Sequence, residues 1–134
     1  QLAPADMRLP IQFALTYPER KENPFPRLDL FTLGRLDFSP PDLERFPCLA
    51  LAYAAGRRGG TMPAVMNAAN EEAVTAFLEG RIGFSAIPAL VEKVMEIHEK
   101  EGFVSSPDLE TILDADNRAR EVFSSLFQRQ GLAR

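Results

Sequence analysis

Few side chains in this sequence are placed to do chemistry. The only histidine, His98, falls on the same helical stripe as Leu90, Val91, Val94 and Met95. It could act as a general base. No H-E-x-x-H pair, serine elbow or cysteine partner accompanies it, so a histidine at the edge of a helical core is the better reading. Cys48 also lacks a companion and sits among small residues, as a packing side chain would. Asp114-Ala115-Asp116-Asn117 opens like a calcium loop. That loop would put Ala119 where the turn needs glycine and Ser125 where it needs glutamate, so helix capping accounts better for the two acids. Glu96, Glu99 and Glu101 read as a solvated helix end, and Gly56, Gly59 and Gly60 fit no nucleotide-loop spacing. One cluster stands out. Asn67, Asn70 and Glu71 follow i, i+3, i+4 spacing, with Asn70 inside the apolar stripe Met66, Ala69, Ala73 and Phe77. Asparagine in an apolar interior needs hydrogen bonds. It would find them either in a substrate or another domain, or in an internal network with a neighbouring loop.

The elements that carry these residues divide at Asp42. Seven of the eleven prolines lie in the first 41 residues, which excludes one long helix there and leaves room for a short one over residues 5–17. Residues 18–41 read as an extended connector. Leu28-Asp29-Leu30 and Leu36-Asp37-Phe38 alternate like one or two edge strands, with Gly34-Arg35 as a bend. Residues 42–134 read as helices. One begins at Pro47 and stops in the Gly56–Gly60 cluster. A second runs from Thr61, with Pro63 in its first turn, to Gly80. Ser85 can cap a third, whose stripe is Ile87, Leu90, Val91, Val94 and Met95 and whose end is Gly102. Ser105 to Asp108 opens a short turn. A last helix, capped by Asp114 or Asp116, carries Ala119, Val122, Phe123, Leu126 and Phe127 on one face. Four stripes on short loops give a mainly α fold, an antiparallel helical bundle preceded by the extended connector.

Composition sets the remaining bounds. With 134 residues, 46% apolar and 25% charged, the chain can build one ordinary core and is no disordered tail. A formal charge of −4 argues against non-specific nucleic-acid binding. No window approaches about 18 uninterrupted apolar residues, the length a membrane span takes. One cysteine excludes an internal disulfide and fits a reducing compartment. The chain begins at Gln1 rather than methionine, and the expectation is a piece of a longer protein.

Three stretches together carry a resemblance: Ala5-Asp6-Met7-Arg8-Leu9-Pro10-Ile11, Leu43-Glu44-Arg45-Phe46-Pro47-Cys48-Leu49 and Asn67-Ala68-Ala69-Asn70-Glu71. Asp116-Asn117-Arg118-Ala119-Arg120 supports it. The sequence resembles the C-terminal part of the 1-deoxy-D-xylulose 5-phosphate reductoisomerase family, in order and without large gaps from about residue 1 to 127. The resemblance implies an enzyme of non-mevalonate isoprenoid biosynthesis. In it a divalent cation, Mg2+ or Mn2+, polarises the sugar phosphate during skeletal rearrangement, and NADPH then delivers a hydride.

What the resemblance implies for this chain is support rather than catalysis. Residues 1–17 would end an α/β catalytic domain, 18–41 would be the connecting segment with its edge strands, and 42–134 the C-terminal helical domain. The family's metal ligands, phosphate ligands and flap lie upstream of the matching region, so no catalytic or metal residue is carried over. Only Met7 is, near the nicotinamide and substrate pocket. Ala5 stands where the family usually has proline, with Pro4 one residue earlier, and a packing methionine at a domain seam is the competing reading. The implied partners are the rest of the same enzyme and a second copy in a homodimer. The segment alone is expected to bind neither cofactor nor metal. A bacterial cytoplasmic source is expected, with a plastid one left open. A non-catalytic helical interaction module that keeps the family fold is the alternative.

Overall fold

The computed structural model describes residues 4–129. The chain divides into two compact units, Gln1–Pro40 and Pro41–Arg134.

The first unit contains helix α1 (Arg8–Thr16) and the single turn α2 (Leu30–Leu33). α1 occupies the room expected of it, with Pro10 in its first turn, and the Thr16 hydroxyl turns back to the Gln12 carbonyl at 3.1 Å. The edge strands are not formed: among the described residues there is no strand at all. The alternation around Leu28 gives way because Asp29 captures the chain locally. Its carboxylate accepts from the Phe31 N–H at 2.9 Å and the Thr32 hydroxyl at 2.6 Å, which starts a helical turn at Leu30. Gly34, at φ 71°, closes that turn. Leu36-Asp37-Phe38 joins no ladder, since the described residues offer it no neighbouring strand.

The second unit is a bundle of α3 (Pro47–Arg58), α4 (Met62–Leu78), α5 (Ala86–Glu101) and α6 (Leu109–Arg129). α4 is its axis and packs on all three others, most extensively on α5 and α6. Alanine explains how. Ala68, Ala69, Ala73 and Ala76 are completely buried together with Val65, and a helix surfaced with methyl groups lets its neighbours approach closely. The stripe drawn for this helix is therefore rotated. Met66 and Asn70 are half-buried and Phe77 is exposed at the rim, while Met62, Val65, Ala68, Ala69, Ala73 and Ala76 face the core. Alanine is too weakly apolar to mark a face by pattern alone.

α5 buries the stripe expected of it, His98 included. Ser85 stands at its N-cap position, but its hydroxyl makes no capping bond. α6 starts earlier than expected. Asp108, not Asp114 or Asp116, caps it, accepting from the Thr111 N–H at 2.8 Å. Pro107 precedes the cap, and the short turn opened by Ser105 runs directly into the helix. Ala115, Ala119, Phe123 and Phe127 then reach the core at i, i+4 spacing. α3 runs through Gly56 and stops at Gly59, where φ is 68°. Among the described residues no helix is long and apolar enough to cross a membrane.

Candidate functional site

Asn67, Asn70 and Glu71 lie on one side of α4, and the structure separates them. Asn67 and Glu71 are exposed and joined at 3.1 Å, the amide donating to the carboxylate. Glu71 also meets Arg120 of α6, at 2.7 Å. The same guanidinium reaches Glu72 at 3.1 Å and Asp116 at 2.9 Å, so one cation ties three carboxylates across two helices. Hydrogen bonds from Arg120 and then Asn67 hold the Glu71 carboxyl below the usual range, and the three acids raise the Arg120 pKa. The sequence reading did not single out Arg120 as this hub. Its place four residues after Asp116 was the available signal.

Asn70 takes a different position. It is half-buried, and its side chain forms no hydrogen bond among the described residues. It lines a groove of about 450 Å3 with Phe46, Pro47 and Cys48 from the start of α3, Val74 from α4, and Phe84, Ile87 and Pro88 from the entry to α5. Phe46 is 53% exposed and Phe84 65%, so the rim presents apolar rings to solvent beside the Asn70 amide and the polar Glu44, Arg45 and Ser85. Such a surface can accept an apolar side chain and one backbone or side-chain hydrogen bond. Cys48 is half-buried and packs against the core, and burial pushes its thiol up.

Met7 is 73% exposed immediately before α1. It is flanked by a fork in which Arg8 donates to both Asp6 oxygens, at 2.9 and 3.1 Å from Nε and 2.6 Å from Nη2. That fork holds the Asp6 carboxyl down at about 2. The Arg8 guanidinium also lies 4.3 Å from the centre of the Phe25 ring. Met7 itself reaches into solvent beside this fork.

His98 is buried at the bundle edge, where Nε2 lies 2.7 Å from the Thr61 hydroxyl. Asp114 is exposed on α6 and has no ligand-like company. Among the described residues no three His, Cys, Asp or Glu side chains gather closely enough to hold a metal ion.

Known proteins place this arrangement. The DXP reductoisomerase C-terminal domain family matches residues 2–122. The chain is 54% identical to the 1-deoxy-D-xylulose 5-phosphate reductoisomerase of Acetivibrio thermocellus over 126 residues, which is 94% of this chain and 32% of that one. It is 58% identical to the same enzyme of Heliobacterium modesticaldum over 120 residues, 90% of this chain and 30% of that one. Among solved structures, the Zymomonas mobilis enzyme in complex with NADPH superposes with a TM-score of 0.80 at 44% identity, covering 94% of this chain and 32% of that chain. A DOX-P reductoisomerase with NADPH, fosmidomycin and magnesium superposes at 0.77 with 37% identity, covering 97% and 34%. The chain thus spans about a third of the length of the curated relatives it matches. A central alanine-faced helix, the three helices around it and the sequence match agree: this chain belongs to the 1-deoxy-D-xylulose 5-phosphate reductoisomerase family, in the part that forms the C-terminal domain.

Proposed function

We propose that this chain is the C-terminal part of an NADPH- and divalent-metal-dependent reductoisomerase that converts 1-deoxy-D-xylulose 5-phosphate to 2-C-methyl-D-erythritol 4-phosphate. Its role is to complete and brace the enzyme, while the chemistry lies in the parts not present here. The observation that carries this reading is the exposure of apolar side chains in the first unit. No described residue there is buried, and Met7, Leu15, Phe31 and Phe38 are 73%, 82%, 98% and 88% exposed. Surface of that kind is covered in a working protein. Residues 1–17 are assigned to the end of the catalytic domain, 18–41 to the connecting segment and 42–134 to the helical domain. Met7 lies near the nicotinamide in this assignment. Asn70 and the groove around it, with Asn67 and Glu71 beside them, face another domain of the same enzyme. A homodimer in the bacterial cytoplasm is the assembly this reading carries.

Among the described residues no three His, Cys, Asp or Glu side chains gather closely enough to hold a metal ion, which supports a bracing rather than a catalytic part for this chain. The isolated 134 residues should therefore bind neither NADPH nor Mn2+ appreciably. Calorimetric titration with each tests this: no measurable heat is expected, and micromolar binding of either would overturn the assignment.

A further inference from the structure

The one histidine is built into a junction that the proposed function does not use. Thr61, at the N-cap of α4, is completely buried, yet its hydroxyl does not cap the helix. It accepts from the Val104 N–H at 3.2 Å, while the Thr61 N–H donates to the Val104 carbonyl at 3.0 Å. These bonds join the start of α4 to the segment between α5 and α6. Gly60 shows how close the two backbones are. Its φ is 57°, and a Cβ there would collide with the Val104 carbonyl oxygen.

The oxygen of Thr61 thus spends a lone pair on Val104, and its own proton still needs an acceptor. Nε2 of His98, 2.7 Å away, is the one at hand. With the Thr61 hydroxyl donating, the ring is the Nδ1–H tautomer and Nε2 is unprotonated. A proton added to Nε2 would turn an acceptor into a donor and leave the buried hydroxyl proton with no partner.

We propose that Thr61 and His98 form a pH-sensitive latch, closed while the imidazole is neutral and released when Nε2 takes a proton, so that acid loosens the α5–α6 segment from the start of α4. The surrounding charges agree. α4 contributes the uncharged Thr61, α6 contributes Arg118, and α5 contributes Glu99, whose carboxylate is held by Arg58 of α3 at 2.8 Å. Burial and then Arg118 depress the His98 pKa, outweighing the opposing effect of Glu99. A histidine whose folded pKa is lowered binds more protons when unfolded. Its contribution to stability is complete above the unfolded value near 6.5 and falls away as pH drops below it.

Because the chain has one histidine, nitrogen-detected NMR of the 134-residue chain reads the latch without assignment ambiguity. The expected result is the Nδ1–H tautomer at neutral pH and a midpoint below 6.5, with the Val104 amide shifting along the same titration curve. The Nε2–H tautomer, or a midpoint at or above 6.5, would overturn the proposal. Thr61→Ser keeps the hydroxyl and should keep the tautomer and the shared titration curve. Thr61→Val should uncouple the Val104 shift from the ring. If Thr61→Val does not fold, the wild-type tautomer and the serine variant still decide the matter.

Discussion

Arg120 reaches three carboxylates at once, which makes it the side chain whose removal should be felt most on the bundle surface. Its side chain is 34% exposed, and its partners Glu72, Asp116 and Glu71 are 34%, 29% and 54% exposed. Solvent screening therefore limits what the network contributes. Arg120→Met should cost about 1 kcal/mol, and thermal unfolding at neutral pH should read that loss as roughly 4–8 °C. The effect should shrink in acid. The Glu71 carboxyl has a lowered folded pKa, so its contribution is present above its ordinary value of 4.5 and is lost as pH falls through the lower one. An equal loss for Arg120→Met at neutral pH and well below pH 4 would show that packing rather than charge is at stake. At this scale the sequence was a partial guide. Spacing placed Asn67, Asn70 and Glu71 on one side of a helix, but the Arg120 partner of Glu71 lies 49 residues away on α6, beyond what periodicity encodes.

The helices were legible where their sequences carry both a stripe and a stop. α5 shows this best, with branched and long apolar residues at helical spacing and a glycine after the end. α4 was legible as a helix but not in its facing, because its buried surface is alanine, which also stands on exposed faces. The start of α6 was missed for a local reason. Asp108, Asp114 and Asp116 can all cap, and only the bond to the Thr111 N–H selects the first. The selection can be tested. Asp108→Ala should cost about 1 kcal/mol in chemical denaturation, the usual worth of a cap, whereas Asp114→Ala should stay within about 0.5 kcal/mol of the parent. Larger destabilisation by Asp114→Ala would move the cap into the helix and contradict the boundary at Leu109. The expected edge strands failed because alternation records only that one side of a segment is apolar. It does not supply the neighbouring strand, and Asp29 had a nearer use for the backbone.

The whole chain pairs a bundle with its own core and a leading segment without one. Every side chain of the buried core belongs to Ala55 or later. The bundle should therefore resist proteases, and limited digestion of the 134 residues should cut first between Tyr17 and Pro41. A first cut inside α3, α4, α5 or α6 would contradict that division. The composition shift at Asp42 was readable because prolines crowd one side of it and helix formers the other. The use of the exposed rings at Phe31 and Phe38 was not readable from pattern, since none of the described residues covers them. The most direct test of the proposal that this chain supplies structure an enzyme needs, with the chemistry held elsewhere, replaces the matching C-terminal segment of the Acetivibrio thermocellus relative with residues 1–134 and measures NADPH consumption with 1-deoxy-D-xylulose 5-phosphate and Mg2+. Turnover by the chimaera and none by the relative truncated before that segment is the expected result; a truncated relative that turns over unaided, or a folded chimaera that does not, would contradict the proposal.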